Sequence, residues 1–235
     1  MERLDKIISN RAGISRKDAK LAISSGKVSV NGKIVRTSDL KIGENDEIIF
    51  GSNKISEKAH LYIVLNKPKG YISATEDPEQ KTVLELVPPE LFRNGMFPAG
   101  RLDKNTTGLM IITDDGDFAH RILSPRKHVS KKYDVTSDLP VTEAMEKGFA
   151  EGIELNDGIC KTAKLEKTGE HTAFVTLSEG RYHQIKRMFG CFGAKVTELK
   201  RLSMGGFSLP EDLAEGECRE LSDAETALIE SKVKE

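Results

Sequence analysis

The polar run Gly51-Ser-Asn-Lys-Ile-Ser-Glu-Lys-Ala59 splits the chain into two segments of unlike patterning, and this break restricts the possible folds more than any other feature of the sequence. Before it, Leu4, Ile7 and Ile8 recur at helical spacing up to Gly13. Ser15-Arg-Lys-Asp18 then reads as a capping box opening a second helix, which carries Ala19, Ala22 and Ile23 as far as Gly26. Val28-Ser-Val-Asn-Gly-Lys-Ile-Val35 alternates around Asn31-Gly32, a strong hairpin signal, and Asp46-Glu-Ile-Ile-Phe50 reads as a closing strand. Residues 1–59 are therefore expected to hold a small αα-then-β module and its linker.

After the break comes the apolar strand Leu61-Tyr-Ile-Val-Leu65, then strand patterns at 108–113, 132–136, 171–177 and 194–201 and helical patterns at 115–123, 142–152 and 183–192. Strands outnumber helices and no regular β-α-β alternation appears. Residues 60–235 are thus expected to form a second domain, of α+β class, on a mainly antiparallel sheet. A chain of 235 residues is long enough for two such domains, each with its own core.

Charged residues make up 31% and hydrophobic ones 37%, a balance that suits a folded protein with much polar surface. No apolar run approaches the roughly 20 residues that span a bilayer. The N-terminus Met1-Glu-Arg-Leu-Asp-Lys is charged where a signal peptide is apolar, so the expected location is the cytoplasm, with no membrane partner. Cys160, Cys191 and Cys218 are widely spaced and define neither a disulfide framework nor a zinc site, and the five histidines show no tight ligand spacing. There is no GxGxxG after a strand, no GxxxxGK[ST] and no GxSxG. No cofactor or metal is expected.

The net charge of −1 hides local imbalance. Residues 1–59 hold 12 Lys and Arg against 8 Asp and Glu, while residues 211–235 hold 3 against 9, an acidic tail. Two basic clusters lie between: Arg121, Arg126, Lys127, Lys131 and Lys132 facing Asp134, and Arg181, Lys186, Arg187, Lys195, Lys200 and Arg201 facing Glu198. Any one cluster alone reads as ordinary solvated surface, yet local basic surfaces of this kind can hold a polyanion.

Carboxylates offer the remaining chemistry. Asp114, Asp115 and Asp117 read as a strand-to-helix turn capping a helix near Phe118, in preference to a glycosidase pair formed by Asp103 with Asp115. Asp103 sits between Arg101 and Lys104 in a loop that enters a buried strand, where nearby cations keep a carboxylate ionised and aim it. The residues by themselves favour a turn role for it.

Two resemblances change that reading. Arg3-Leu-Asp-Lys6, Ser15-Arg-Lys-Asp-Ala19 and Gly26-Lys-Val-Ser-Val-Asn-Gly32 resemble the S4 RNA-binding domain, which implies phosphate contacts from Arg3, Arg11, Arg16, Lys17 and Lys20. Gly100-Arg-Leu-Asp-Lys-Asn-Thr-Thr-Gly-Leu109 followed by Thr113-Asp-Asp-Gly116 resembles the active-site motif of the pseudouridine synthases that carry an N-terminal S4 domain, the RsuA-like family. Leu65-Asn-Lys-Pro-Lys-Gly70, Lys131-Lys-Tyr133 and Ser178-Glu-Gly-Arg-Tyr-His-Gln-Ile-Lys-Arg-Met-Phe189 match in the right order, so the resemblance spans nearly the whole chain.

That resemblance implies isomerisation of a uridine within RNA, without cofactor or group donor. It makes Asp103 the essential carboxylate, acting by covalent attack or by taking a ribose proton. It makes Tyr133 the aromatic packed on the target base and Lys186 the cation paired with Asp103, with Arg187 the alternative. Ile185 becomes an apolar wall, and Arg101, Arg181, Arg187 and Lys132 substrate contacts. The resemblance also implies that the two basic clusters line opposite sides of one cleft with Asp103 at its floor. Arg181-Tyr-His-Gln-Ile-Lys-Arg-Met188 and the acidic tail resemble the branch that acts on small-subunit ribosomal RNA, free or partly assembled, with a monomer expected. A large-subunit enzyme and a non-catalytic RNA-binding assembly factor remain the alternatives.

Overall fold

The computed structural model describes residues 2–43, 46–55, 58–124 and 129–231. Arg126 and Lys127 of the first basic cluster lie outside them.

Near the N-terminus, helices α1 (Leu4–Arg11) and α2 (Arg16–Ser24) pack on a four-stranded antiparallel sheet ordered Lys33–Ile34, Val28–Val30, Ile48–Phe50, Asn53–Lys54. Ser15 caps α2 by accepting from the Asp18 N–H. Asn31 and Gly32 both adopt left-handed backbone, as a tight hairpin turn with the twist of its strands requires. Leu4, Ile7, Ile8, Ile23, Val28 and Ile48 close a separate small core. The Asn94 amide holds the α1–α2 turn, donating to the carbonyls of Ser9 at 3.1 Å and Ile14 at 3.0 Å.

The rest of the chain is built on a nine-stranded sheet whose main path runs Lys164–Lys167, Thr172–Leu177, Lys131–Ser137, Val196–Met204, Thr107–Thr113, Tyr62–Lys67, Cys218–Glu220. Neighbours pair antiparallel except Val196–Met204 with Thr107–Thr113, a parallel seam joining Lys200 to Thr107 and Arg201 to Gly108. Every residue of Thr107–Thr113 is buried, because the sheet is covered on both faces at its centre. Ile63, Leu65, Met110, Ile112, Val135 and Val175 face one core with α4 (Glu143–Glu151) and α5 (Gln184–Gly190). Val64, Leu109 and Ile111 face the other with α3 (Gly116–Leu123) and α6 (Asp223–Glu230).

The mixed, mainly antiparallel architecture agrees with the α+β expectation. The described part of the acidic C-terminal stretch contains regular structure: Cys218–Glu220 pairs with Ile63–Leu65 at the sheet edge, and α6 opens with a capping box of Ser222 and Glu225. No helix among the described residues is long and apolar enough to cross a membrane.

Candidate active site

Asp103 lies in the loop that enters Thr107–Thr113, and two neighbours latch that loop. The Ser73 hydroxyl donates to the Leu102 carbonyl at 2.8 Å and accepts the Leu102 N–H at 2.9 Å. The fully buried Lys67 ammonium donates to the carbonyls of Pro68, Lys104 and Thr106 at 3.1, 3.2 and 2.9 Å. Burial lowers the Lys67 pKa to about 8, against the pull of the Asp103 charge. The Lys67-Pro-Lys-Gly stretch thus fixes the backbone on which Asp103 stands.

The Asp103 carboxylate opens into a cavity of about 600 Å³, whose lining includes Thr106, Lys131, Tyr133, His183, Ile185, Lys186 and Arg201. That volume lies in the range of small-molecule sites. Lys186 donates from Nζ to Asp103 Oδ2 at 2.6 Å, and His183 Nε2 stands 3.3 Å from Asp103 Oδ1. Lys186, in the first turn of α5, therefore holds the carboxylate, with the His183 ring beside its other oxygen. His183 has a left-handed backbone, φ +48°, and its ring stacks on Tyr182 at 3.9 Å. Tyr133 and Ile185 are nearly buried and supply apolar walls suited to a planar ring. Glu179, the other carboxylate in the lining, is engaged by the Lys161 N–H and the Gln184 amide.

Several expectations from the sequence change here. The cation that meets Asp103 is Lys186 and not a chain neighbour: Arg101 is exposed at the rim, and the Lys104 ammonium donates to Gln80. Lys186, and not Arg187, makes the ion pair. Arg187 pairs with Asp157 instead, and the Arg181 guanidinium is spent on the carbonyls of Asp157, Gly158 and Ile159. Lys132 sits on the opposite face of its strand from Tyr133, since strand residues alternate; its ammonium lies 4.0 Å over the Phe174 ring. With Lys200 it lines a separate cavity of about 360 Å³, so the two basic clusters do not all share one cleft. By the same alternation Lys131, not Lys132, accompanies Tyr133, and strand parity in the sequence was the signal for it. His183 and Arg201 carried no such signal.

In the N-terminal module Lys17 and Lys20 are exposed, whereas Arg3 and Arg16 are committed to the buried Asp5 at 3.0 and 3.4 Å and Arg11 is partly buried. Asp115 is likewise committed, accepting from the Phe118 N–H and the Tyr62 hydroxyl, which removes it as a partner for Asp103 in glycoside hydrolysis. No group of three or more potential metal ligands occurs among the described residues.

Residues 61–190 match the RNA pseudouridylate synthase family, and residues 2–48 match the S4 domain. Ribosomal small subunit pseudouridine synthase A of Escherichia coli is 41% identical over 230 residues, which cover 97% of this chain and 99% of that protein. Its namesake in Haemophilus influenzae is 41% identical over 235 residues, 99% of this chain and 100% of that one. A crystal structure of a pseudouridylate synthase superimposes with a TM-score of 0.68 at 39% identity, covering 97% of this chain and all of the other.

Proposed function

Because the chain belongs to the RNA pseudouridylate synthase family, whose members are isomerases, we propose that it converts one uridine of small-subunit ribosomal RNA to pseudouridine with Asp103 as the acting carboxylate. The observation that carries this reading is the Asp103–Lys186 pair, 2.6 Å apart in a cavity that also holds Tyr133. The reaction breaks the bond from uracil N1 to ribose C1′, rotates the base and joins C5 to C1′, while one proton leaves C5 and one arrives at N1. A carboxylate placed at the ribose serves either by bonding C1′ or by taking a ribose proton. Lys186 holds it ionised and oriented in both cases.

Flipping a base out of structured RNA costs a few kcal/mol. Tyr133 and Ile185 offset part of that by packing on the uracil. Lys17 and Lys20 in a unit spanning residues 1–59, and Arg101 at the rim of a catalytic unit spanning 60–235, hold the backbone. The small-subunit assignment is supported by the names of the relatives in Escherichia coli and Haemophilus influenzae, and we infer a monomer in the cytoplasm, acting on free or partly assembled RNA.

Release of tritium from C5 of uridine in transcribed small-subunit ribosomal RNA tests the reading, with wild type beside Asp103→Asn. Release by the wild type alone is expected, together with melting temperatures that agree. Release only from large-subunit RNA overturns the substrate, and release from neither overturns the activity.

A further inference from the structure

Lys131 and Arg201 are two buried cations that line the same cavity. Lys131 is 8% exposed and Arg201 1% exposed, and neither forms an ion pair among the described residues. Strand pairing sets Arg201 directly across from Tyr133, and strand alternation sets Lys131 on the same face as Tyr133. The cations therefore flank the ring on which the uracil is proposed to pack. Arg201 donates from Nε to the Leu109 carbonyl at 2.6 Å, while its buried Nη2 has no hydrogen-bond partner among the described residues. Lys131 donates to the Val129 carbonyl at 3.1 Å. Burial and the Arg201 charge together lower the Lys131 pKa to about 8, so at neutral pH it stays cationic at a cost to stability. Two uncompensated charges in one pocket are expensive unless something negative arrives there.

The reaction itself generates such a charge. When N1–C1′ breaks heterolytically, its electron pair stays on the uracil, and the negative charge spreads over N1, O2 and O4 until C5 bonds C1′. This holds whether C1′ is taken by the Asp103 oxygen or loses its neighbouring ribose proton. The neutral uracil of the bound substrate carries no such charge. We propose that Lys131 and Arg201 are catalytic residues that stabilise the detached uracil anion, contributing to the transition state far more than to binding. The inference rests on the activity proposed above.

The experiment compares wild type with Lys131→Met, Lys131→Arg and Arg201→Lys, measuring kcat and KM for pseudouridine formation on RNA containing uridine. It then repeats the comparison on RNA carrying 6-azauridine at the target, whose base is the more stable anion; the readout there is scission of its N1–C1′ bond in single turnover. Lys131→Met should lower kcat roughly a hundredfold with KM within about threefold of wild type. The wild-type advantage should shrink on 6-azauridine, and Lys131→Arg should recover most of the rate. Arg201→Lys keeps a charge and loses the second donor, so an intermediate loss is expected, with its melting temperature reporting any damage to the fold. A kcat for Lys131→Met within threefold of wild type overturns the proposal, as does an equal loss on both RNAs or a loss confined to KM. An inactive wild type overturns the proposed activity instead, which separates the two failures.

Discussion

Gly108 and Arg201 meet backbone to backbone at the parallel seam of the large sheet, where a Cβ on Gly108 would stand 2.3 Å from the Arg201 carbonyl oxygen. Gly108 has φ +96°, a region that side chains rarely tolerate. The close approach ties the strand that follows Asp103 to the strand that carries a buried cation of the cavity. Gly108→Ala must both strain its backbone and push the seam apart, at about 3 kcal/mol. A melting temperature lower by about 10 °C is expected by calorimetry, and an unchanged one would show that the seam can open without cost.

His183 offers a sharper test of orientation, because ring and backbone can be varied separately. Its left-handed φ is the second such non-glycine residue among those described; the first, Asn31, is explained by its hairpin turn. Non-glycine residues in this region cluster at active sites, and here the turn accompanies an Nε2 that lies 3.3 Å from Asp103 Oδ1. His183→Gly keeps the conformation and removes the ring, so kcat should fall about tenfold with RNA affinity unchanged. His183→Asn tolerates the backbone and supplies an N–H donor, and it should recover part of the loss. Equal rates for all three proteins would show that the contact does not orient the carboxylate.

Local chemistry made much of the fold readable. Asn31-Gly32 marked one hairpin, the Ser15 cap opened α2, and the strand patterns located the central strands of the large sheet to within three residues. What escaped depends on pairing between distant segments. Cys218–Glu220 has no alternation of its own and becomes a strand through Ile63–Leu65. Lys186 was legible by resemblance, but the inward aim of Arg201 and the turn of His183 onto Asp103 follow from tertiary packing. Lys131 and Lys132 are both basic and close to Tyr133 in sequence, and only strand parity separates them.

The N-terminal module carries an acid-sensitive anchor. Asp5 is buried in α1, and its hydrogen bond with Arg3, aided by Arg16, lowers its pKa to about 2 against burial. The unfolded value is near 3.9, so the stabilisation is present above roughly pH 4 and is lost as pH falls through the folded value. Arg3 and Arg16 are substantially exposed, which screens the pair and keeps the effect to about 1–2 kcal/mol. Asp5→Asn should lower stability at pH 6 and converge with wild type near pH 2 in urea melts. A constant difference across that range would place the effect in packing instead of charge.

Lys131 should set stability against activity. The unfolded chain holds its proton to about pH 10.4 and the folded chain only to about 8. At pH 7 both states are protonated, and the native state bears the cost of a buried ammonium beside Arg201, on the order of 3 kcal/mol. Between pH 8 and 10.4 the unfolded state binds more protons, so wild-type stability rises with pH. Lys131→Met fills the same space without the charge and gives up the bond to the Val129 carbonyl, a smaller loss. It should melt several degrees above wild type at pH 7, and the gap should close by pH 10, while pseudouridine formation falls sharply. Lys67, lowered in the same way, is present in both proteins and cancels from the difference. A variant less stable than wild type at pH 7 would show that Lys131 is there for the fold.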